Sequence, residues 1–178
     1  VGGVQYTEFL VPGLIMMAIL QNAFMNTSSS IMISKIQGNI VDILLPPLSN
    51  LELTIAITVG GVARGMVVGL VSVLVFSFLI DMKIINIFYI LFFSLSGSLA
   101  LSLLGVMGGI WADKFDHMAG LTNFIITPLT FLSGSFYSID KLPDILQLIA
   151  KYNPFFYFID GFRKGFIGYS DANIMNGI

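Results

Sequence analysis

The 178-residue chain has no cysteine, one histidine and only 10% charged side chains. Each scarcity removes a class of protein. Without cysteine there are no disulfides, iron–sulfur clusters or thiolate zinc sites. A lone His117 cannot build a multi-histidine metal centre within one chain, so no metal ligand set is expected. Soluble domains carry about 25% charged residues, and the ionic groups here are too few to coat a water-facing surface. A soluble enzyme and a disordered segment are excluded on that ground. Eight Lys plus Arg against ten Asp plus Glu, a net charge of −2, leave no basic footprint for nucleic acid. No Gly-Lys dipeptide occurs, so the chain carries no P-loop and is not expected to bind ATP or to be an enzyme. Residues 1–6 lack the basic start of a signal peptide. The chain does not begin with Met, and a longer parent protein is expected.

What is abundant is apolar: 56% of residues, with a mean hydropathy of +0.93. A membrane-crossing helix needs about 20 predominantly apolar residues, and four runs meet that length. They are 9–33, 84–111 and 118–139, all uncharged, and 53–80, interrupted only by Arg64. Period-two alternation is absent and the runs exceed the about 9–11 residues of a barrel strand, so helices are expected. The expected fold is an all-α polytopic membrane helical bundle, because lipid satisfies no backbone polar group.

The connections differ in kind. Residues 34–50 form a mixed loop ending in Pro46-Pro47, which stop any helix before them. Asp81-Met82-Lys83 reads as a minimal turn joining two spans in a tight hairpin, and 112–117 as a short polar turn. From 140 to 168, Pro143, Pro154 and Gly161 break the chain into short pieces. There, 141–152 reads as an amphipathic helix with Leu142, Ile145, Leu146 and Ile149 on one face. The aromatic stretch that follows carries Asp160, Arg163 and Lys164, a mixture suited to the membrane–water interface. Residues 140–168 are therefore expected to dip into the bilayer edge and return.

Several constellations bear on function. Asn22, Asn26, Ser29 and Ser30 share one helix face, where they either bond a neighbouring helix or line a hydrated path. Gly61, Gly65 and Gly69, and Ser94, Ser98, Ser102, Gly105 and Gly109, form small-residue ridges for close helix packing. Arg64 lies roughly 16 Å along its helix from Leu53. A charge at that depth must face protein or water, or snorkel. Its candidate partners are Asp42, Glu52, Asp113 or helix carbonyls. Ile36, Ile40, Ile43 and Leu44 recur at helical spacing between two spans, suiting either a docking element for a partner protein or a helix resting on lipid. Ser133-Gly134-Ser135 raises an intramembrane hydrolase, but the only base, His117, is some 27 Å away along the same span. No catalytic residue is expected.

Stretches of the sequence resemble the type-2 ABC transporter permeases. Phe9-Leu10-Val11-Pro12-Gly13-Leu14-Ile15-Met16-Met17 is similar to the start of their second span, and Gly60-Gly61-Val62-Ala63-Arg64-Gly65 to their third. The string from Thr127-Pro128 through Ser133-Gly134-Ser135-Phe136-Tyr137-Ser138 resembles the end of the fifth. Asn153-Pro154-Phe155-Phe156-Tyr157 and Gly161-Phe162-Arg163-Lys164-Gly165-Phe166 resemble the short helices on the outer side. The resemblance covers nearly the whole chain. It implies that residues 1–178 form one permease domain comprising spans two to five of six, with short re-entrant helices at 142–151 and 155–165.

By the same resemblance the subunit is a multi-pass inner-membrane protein that dimerises with a second permease, contacts membrane lipid and works with a separate ABC ATPase. ATP and Mg then belong to that partner, and no cofactor is expected in this chain. The coupling segment would be 38–46, with Gln37, Gly38, Asn39, Ile40, Asp42, Leu44 and Pro46 meeting the ATPase. Asn22, Asn26, Ser29 and Ser30 are assigned to the substrate path, with Arg64 as a buried charge. Counting basic residues on the loops favours the opposite orientation. The resemblance is given precedence, placing 34–50 in the cytoplasm. The expected function is ATP-driven export of a lipid, glycan, drug or similar substrate. The alternatives are a secondary transporter, which the lack of carboxylates within the spans disfavours, and a non-transporting scaffold.

Overall fold

A computed structural model describes residues 6–80, 82–136 and 143–168. Among these, every regular element is helical: α1 (Tyr6–Gln37), α2 (Ile40–Leu44), α3 (Asn50–Ser77), α4 (Ile87–Trp111), α5 (Phe115–Leu121), a π-helical turn (Thr122–Ile126), α6 (Thr127–Phe131), α7 (Asp144–Tyr152) and α8 (Pro154–Ile167). Three helices, α1, α3 and α4, are long and apolar enough to cross a membrane.

The small-residue ridges explain how these three pack. The buried residues of α3 are Thr58, Gly61, Gly65 and Gly69, all turned inward. A Cβ on Gly65 would lie 3.2 Å from the Ile19 carbonyl oxygen of α1. On α4, Ser94, Ser98, Ser102, Gly105 and Gly109 are buried. A Cβ on Gly105 would collide with Thr27 Oγ1 and sit 2.5 Å from the Phe24 carbonyl oxygen. Missing side chains thus let α3 and α4 close on α1 and on each other, the arrangement that dispersion forces favour where lipid removes any hydrophobic drive. The outward face of α3, with Val59, Val67, Leu70, Val71, Leu74 and Val75, stays exposed and apolar.

The helix ends follow local chemistry. Behind Pro46-Pro47, Ser49 and Glu52 form a capping box: Ser49 Oγ accepts from Glu52 N–H at 3.3 Å, and Glu52 Oε2 accepts from Ser49 N–H at 2.8 Å. Asn86 caps α4, its Oδ1 accepting from Phe88 N–H at 3.0 Å. At the far end of α4, Lys35 Nζ donates to the carbonyls of Ile110 and Ala112, the latter at 2.9 Å. A cation there complements both the orphan carbonyls and the helix dipole.

Three expectations change. The connection between the second and third apolar runs is not a minimal turn: α3 stops at Ser77 and α4 starts at Ile87. The reason is that Ile85 and Asn86 donate their N–H groups to the Gly165 carbonyl, at 3.0 and 2.9 Å, and so hold the chain against the end of α8. The run expected at 118–139 is helical over 115–131 and broken by the π turn, in which Thr127 N–H donates to the Thr122 carbonyl. Pro128 has no N–H to give to Phe124, and the widened turn just before it absorbs that mismatch. Residues 137–139 of that run lie outside the described residues. The amphipathic helix expected from 141 begins at Asp144, and Leu142 lies outside the described residues.

α8 packs against α4 and α1 and buries Phe155, Phe156, Ile159, Phe162 and Phe166 together with Asp160 and Arg163. Asn153 fixes its start. Its Oδ1 accepts from Phe155 N–H at 3.0 Å and its Nδ2 donates to the Leu129 carbonyl at 2.6 Å, tying the α7–α8 junction to α6.

Candidate functional site

Three groups of polar residues stand along α1: an elbow at its C-terminal end, a seam with α3 at mid-length, and a clamp near its start. The elbow begins at Gly38, whose φ of +78° is the left-handed conformation that ends α1 and turns the chain. Asp42 N–H donates to the Asn39 carbonyl at 3.1 Å as α2 opens, and Asn39 Nδ2 donates to Gln37 Oε1 at 3.4 Å. Ile40 and Ile43 turn inward onto a cleft of about 300 Å³ that also meets Ser30, Ser34 and Lys35. Gln37, Asn39, Asp42 and Pro46 are exposed, and Val41, Leu44, Leu45 and Leu48 have 52–72% of their surfaces exposed, Leu44 at the rim of the same cleft. A five-residue helix that shows this much apolar surface between two long helices is built to be covered.

The seam holds Arg64. None of the carboxylates considered as its partner reaches it. Asp113 lies 3.9 Å from Lys35, and Glu52 is engaged with Ser49. The partner is the amide of Asn26 on α1, oriented with Oδ1 towards the guanidinium, accepting from Arg64 Nε at 3.2 Å and from Nη1. Nor is Arg64 buried: in the described chain it is exposed. Asn22 and Ser30, one turn to either side of Asn26, are exposed along the same edge. Asn22 Nδ2 donates to the Ala18 carbonyl at 2.9 Å, while Ser30 Oγ donates to the Asn26 carbonyl at 2.8 Å. Ser29 parts from them and lines a separate cleft of about 360 Å³ with Met25, Met32, Phe115, Met118 and Asn123.

The clamp involves residues whose composition alone suits the membrane interface. Arg163 is 1% exposed, with its guanidinium 3.8 Å over the Phe9 ring. Its Nε donates to the Phe9 carbonyl at 3.2 Å and its Nη2 to the Gly134 carbonyl at 2.8 Å, and Asp160 lies 4.0 Å away. A Cβ on Gly13 would come within 3.0 Å of Arg163 Nη2 and 2.8 Å of the Ser135 carbonyl, so glycine leaves room for the guanidinium. Tyr6 Oη adds a bond to the Phe136 carbonyl at 3.1 Å. One available sequence signal is the three-residue spacing of Asp160 and Arg163, which puts both on the helix face that carries Phe156 and Ile159. The remaining charge of that cluster, Lys164, lies 5.0 Å over the Tyr89 ring.

The serine pair of Ser133-Gly134-Ser135 is structural. Ser133 Oγ lies 3.1 Å from Ser135 Oγ and donates to the Thr130 carbonyl. His117 is stacked at a tilt on Trp111, with ring centroids 5.7 Å apart.

Comparison with known proteins agrees with this architecture. The family model for the ABC-2 type transporter matches residues 1–167. The inner membrane transport permease YadH of Escherichia coli K12 is 35% identical over 173 residues, covering 97% of this chain and 68% of its own length, and YadH of Shigella flexneri matches equally. Nodulation protein J of Rhizobium leguminosarum bv. viciae is 34% identical over 76 residues, covering 43% of this chain and 29% of that protein. No solved structure matches. A helical bundle of spanning segments, an exposed elbow between two of them, and a family match along nearly the full chain lead to one conclusion: the protein belongs to the ABC-2 type transporter family.

Proposed function

We propose that this chain is the membrane-spanning permease subunit of an ATP-driven exporter in the inner membrane, powered by a separate ABC ATPase. Permeases of this family work with such a partner, and YadH is an inner membrane transport permease. In this reading α1, α3, α4 and the broken helix 115–131 are spans two to five of six, and the subunit pairs with a second copy. ATP and Mg reside on the ATPase, and the elbow at 38–46 faces the cytoplasm.

The elbow carries the proposal. Its exposed Val41, Leu44 and Leu45 offer an apolar knob, while Gln37, Asn39 and Asp42 offer a polar rim, the anatomy of a protein–protein contact. Closure of the ATPase moves this knob, and the free-energy difference between the two ATPase states biases the permease towards an outward-open form. Asn22, Asn26 and Ser30 form part of the wall along which a lipid, glycan, drug or similar cargo passes, and Ser29, in its separate cleft, is left out of it.

The test is export by the full-length permease with its ATPase in proteoliposomes. Asp42→Arg and Gly38→Trp should insert normally and hydrolyse ATP at the basal rate, while export falls at least about tenfold, equivalent to some 1.4 kcal/mol of lost coupling. Gly38→Ala controls for the strain of a side chain at positive φ. Normal export in both the Asp42 and Gly38→Trp variants overturns the docking assignment. Export that continues without ATP and stops when ion gradients are collapsed would identify a secondary transporter instead.

A further inference from the structure

The seam between α1 and α3 holds a charge that coupling to an ATPase does not use. Arg64 stands about 21 Å along α3, a helix of about 42 Å, and so near mid-depth of the span. Asn26, its partner, is neutral, and among the described residues no carboxylate lies within ion-pair distance of Arg64. Between Glu8 and Lys35 α1 carries no charge, beyond Glu52 α3 carries only Arg64, and α4 carries none. The charge at this depth is therefore positive and uncompensated by these helices.

The surroundings are open and polar. Gly60, one turn from Arg64, has nothing within 4 Å of the place its Cβ would occupy. Asn22, Asn26, Ser30 and Ser34 follow one another at four-residue spacing along the neighbouring edge of α1. Ser30 and Ser34 continue that edge into the cleft of about 300 Å³ that Lys35 also lines. The part of this edge from Asn26 to Lys35, about 13 Å long, thus joins a cation near the elbow to a cation at mid-depth. Asn26 holds the guanidinium through Nε and Nη1, which leaves the Nη1–Nη2 edge to offer two parallel N–H donors, the geometry that matches phosphate or carboxylate.

We propose that Arg64, oriented by Asn26, is a binding station for an oxyanion group on the cargo, so that the transported class is anionic. This rests on the permease reading above. The test uses the full-length protein in phosphatidylcholine nanodiscs, without ATPase. The probes share one tail: dodecyl phosphate, dodecanoate, neutral dodecyl maltoside and cationic dodecyltrimethylammonium. The two anionic probes should bind at least about tenfold more tightly than the maltoside, and the cation most weakly. Arg64→Gln should erase that preference, Arg64→Lys should keep most of it, and Asn26→Leu should reduce it. Should Arg64→Gln fail to insert, the Arg64→Lys and Asn26→Leu variants decide the outcome: an anion preference unchanged in Asn26→Leu then counts against the station.

Competition by inorganic phosphate distinguishes a free ion from a lipid headgroup as the source of the oxyanion, and either result upholds the station. Equal binding of anionic and neutral probes to the unmodified protein overturns it, as does an anion preference that survives in Arg64→Gln. Because binding requires no ATPase, anion-selective binding in a protein that exports nothing with ATP would refute the exporter and spare the site.

Discussion

Replacing Arg163 with Met keeps roughly the length of the side chain and removes its charge. In the structure the guanidinium donates to two carbonyls on separate segments, Phe9 and Gly134, and lies beside an Asp160 that is itself 1% exposed. A hydrogen bond to a charged group contributes about 1.5–3 kcal/mol. Breaking a buried ion pair from one side costs about 3–5 kcal/mol, because the remaining charge stays buried. These contributions overlap, so Arg163→Met should cost about 3–5 kcal/mol rather than their sum. Adding Asp160→Leu removes the buried carboxylate beside it, and the double variant should regain about 1–3 kcal/mol relative to Arg163→Met. Lys at 163 should fall between, since a point charge cannot span both carbonyls while stacking on Phe9. The assay is reversible unfolding of the full-length protein in mixed micelles with increasing SDS, followed by the fluorescence of Trp111. A loss below about 1 kcal/mol for Arg163→Met would show that the clamp holds nothing together. A double variant at least as unstable as the sum of the two single changes would show that the two charges do not act as a pair.

Changes at three further positions test the packing by the same unfolding assay. Thr58 Oγ1 and Ser102 Oγ are buried with no hydrogen-bond partner, so Thr58→Val and Ser102→Ala should each be neutral or stabilising by about 1 kcal/mol; a clear destabilisation by both would show that the hydroxyls are engaged. Gly105→Leu should cost at least about 3 kcal/mol and Gly105→Ala about 1–3 kcal/mol, since even a methyl group strikes Thr27 and the Phe24 carbonyl. Unchanged stability in Gly105→Leu would mean that α1 and α4 are not in contact there.

The bundle is legible wherever one physical signal dominates. Long apolar runs specify α1, α3 and α4, and small residues four apart identify the faces of α3 and α4 that meet α1, because both signals are local to one helix. Boundaries set by distant contacts are not legible. α4 starts three residues later than its apolar run because Ile85 and Asn86 are bonded to Gly165, about eighty positions on. The π turn at 122–126 depends on a hydrogen-bond slip that apolar composition does not encode. Arg163 is ambiguous in sequence because a basic residue among aromatics is compatible both with an interface and with a buried stack. Only the third dimension reveals Phe9 beneath it and the Gly134 carbonyl beside it. The depth of Arg64 follows from counting along its helix, whereas its partner does not. Charge alone points to carboxylates or free carbonyls, and an amide on the adjacent helix takes that place instead.

The guanidinium that fastens the beginning of α1 also decides how that rod can swing. From Gly13 to Gln37 the helix runs about 36 Å, fastened at one extremity by Arg163 and tied at the other to the end of α4, so it is a lever with its fulcrum far from the effort. A sideways displacement of about 3 Å at Gly38 tilts such a rod by about 5°. Because Lys35 grips the last carbonyls of α4, the neighbouring rod is dragged along in the same stroke.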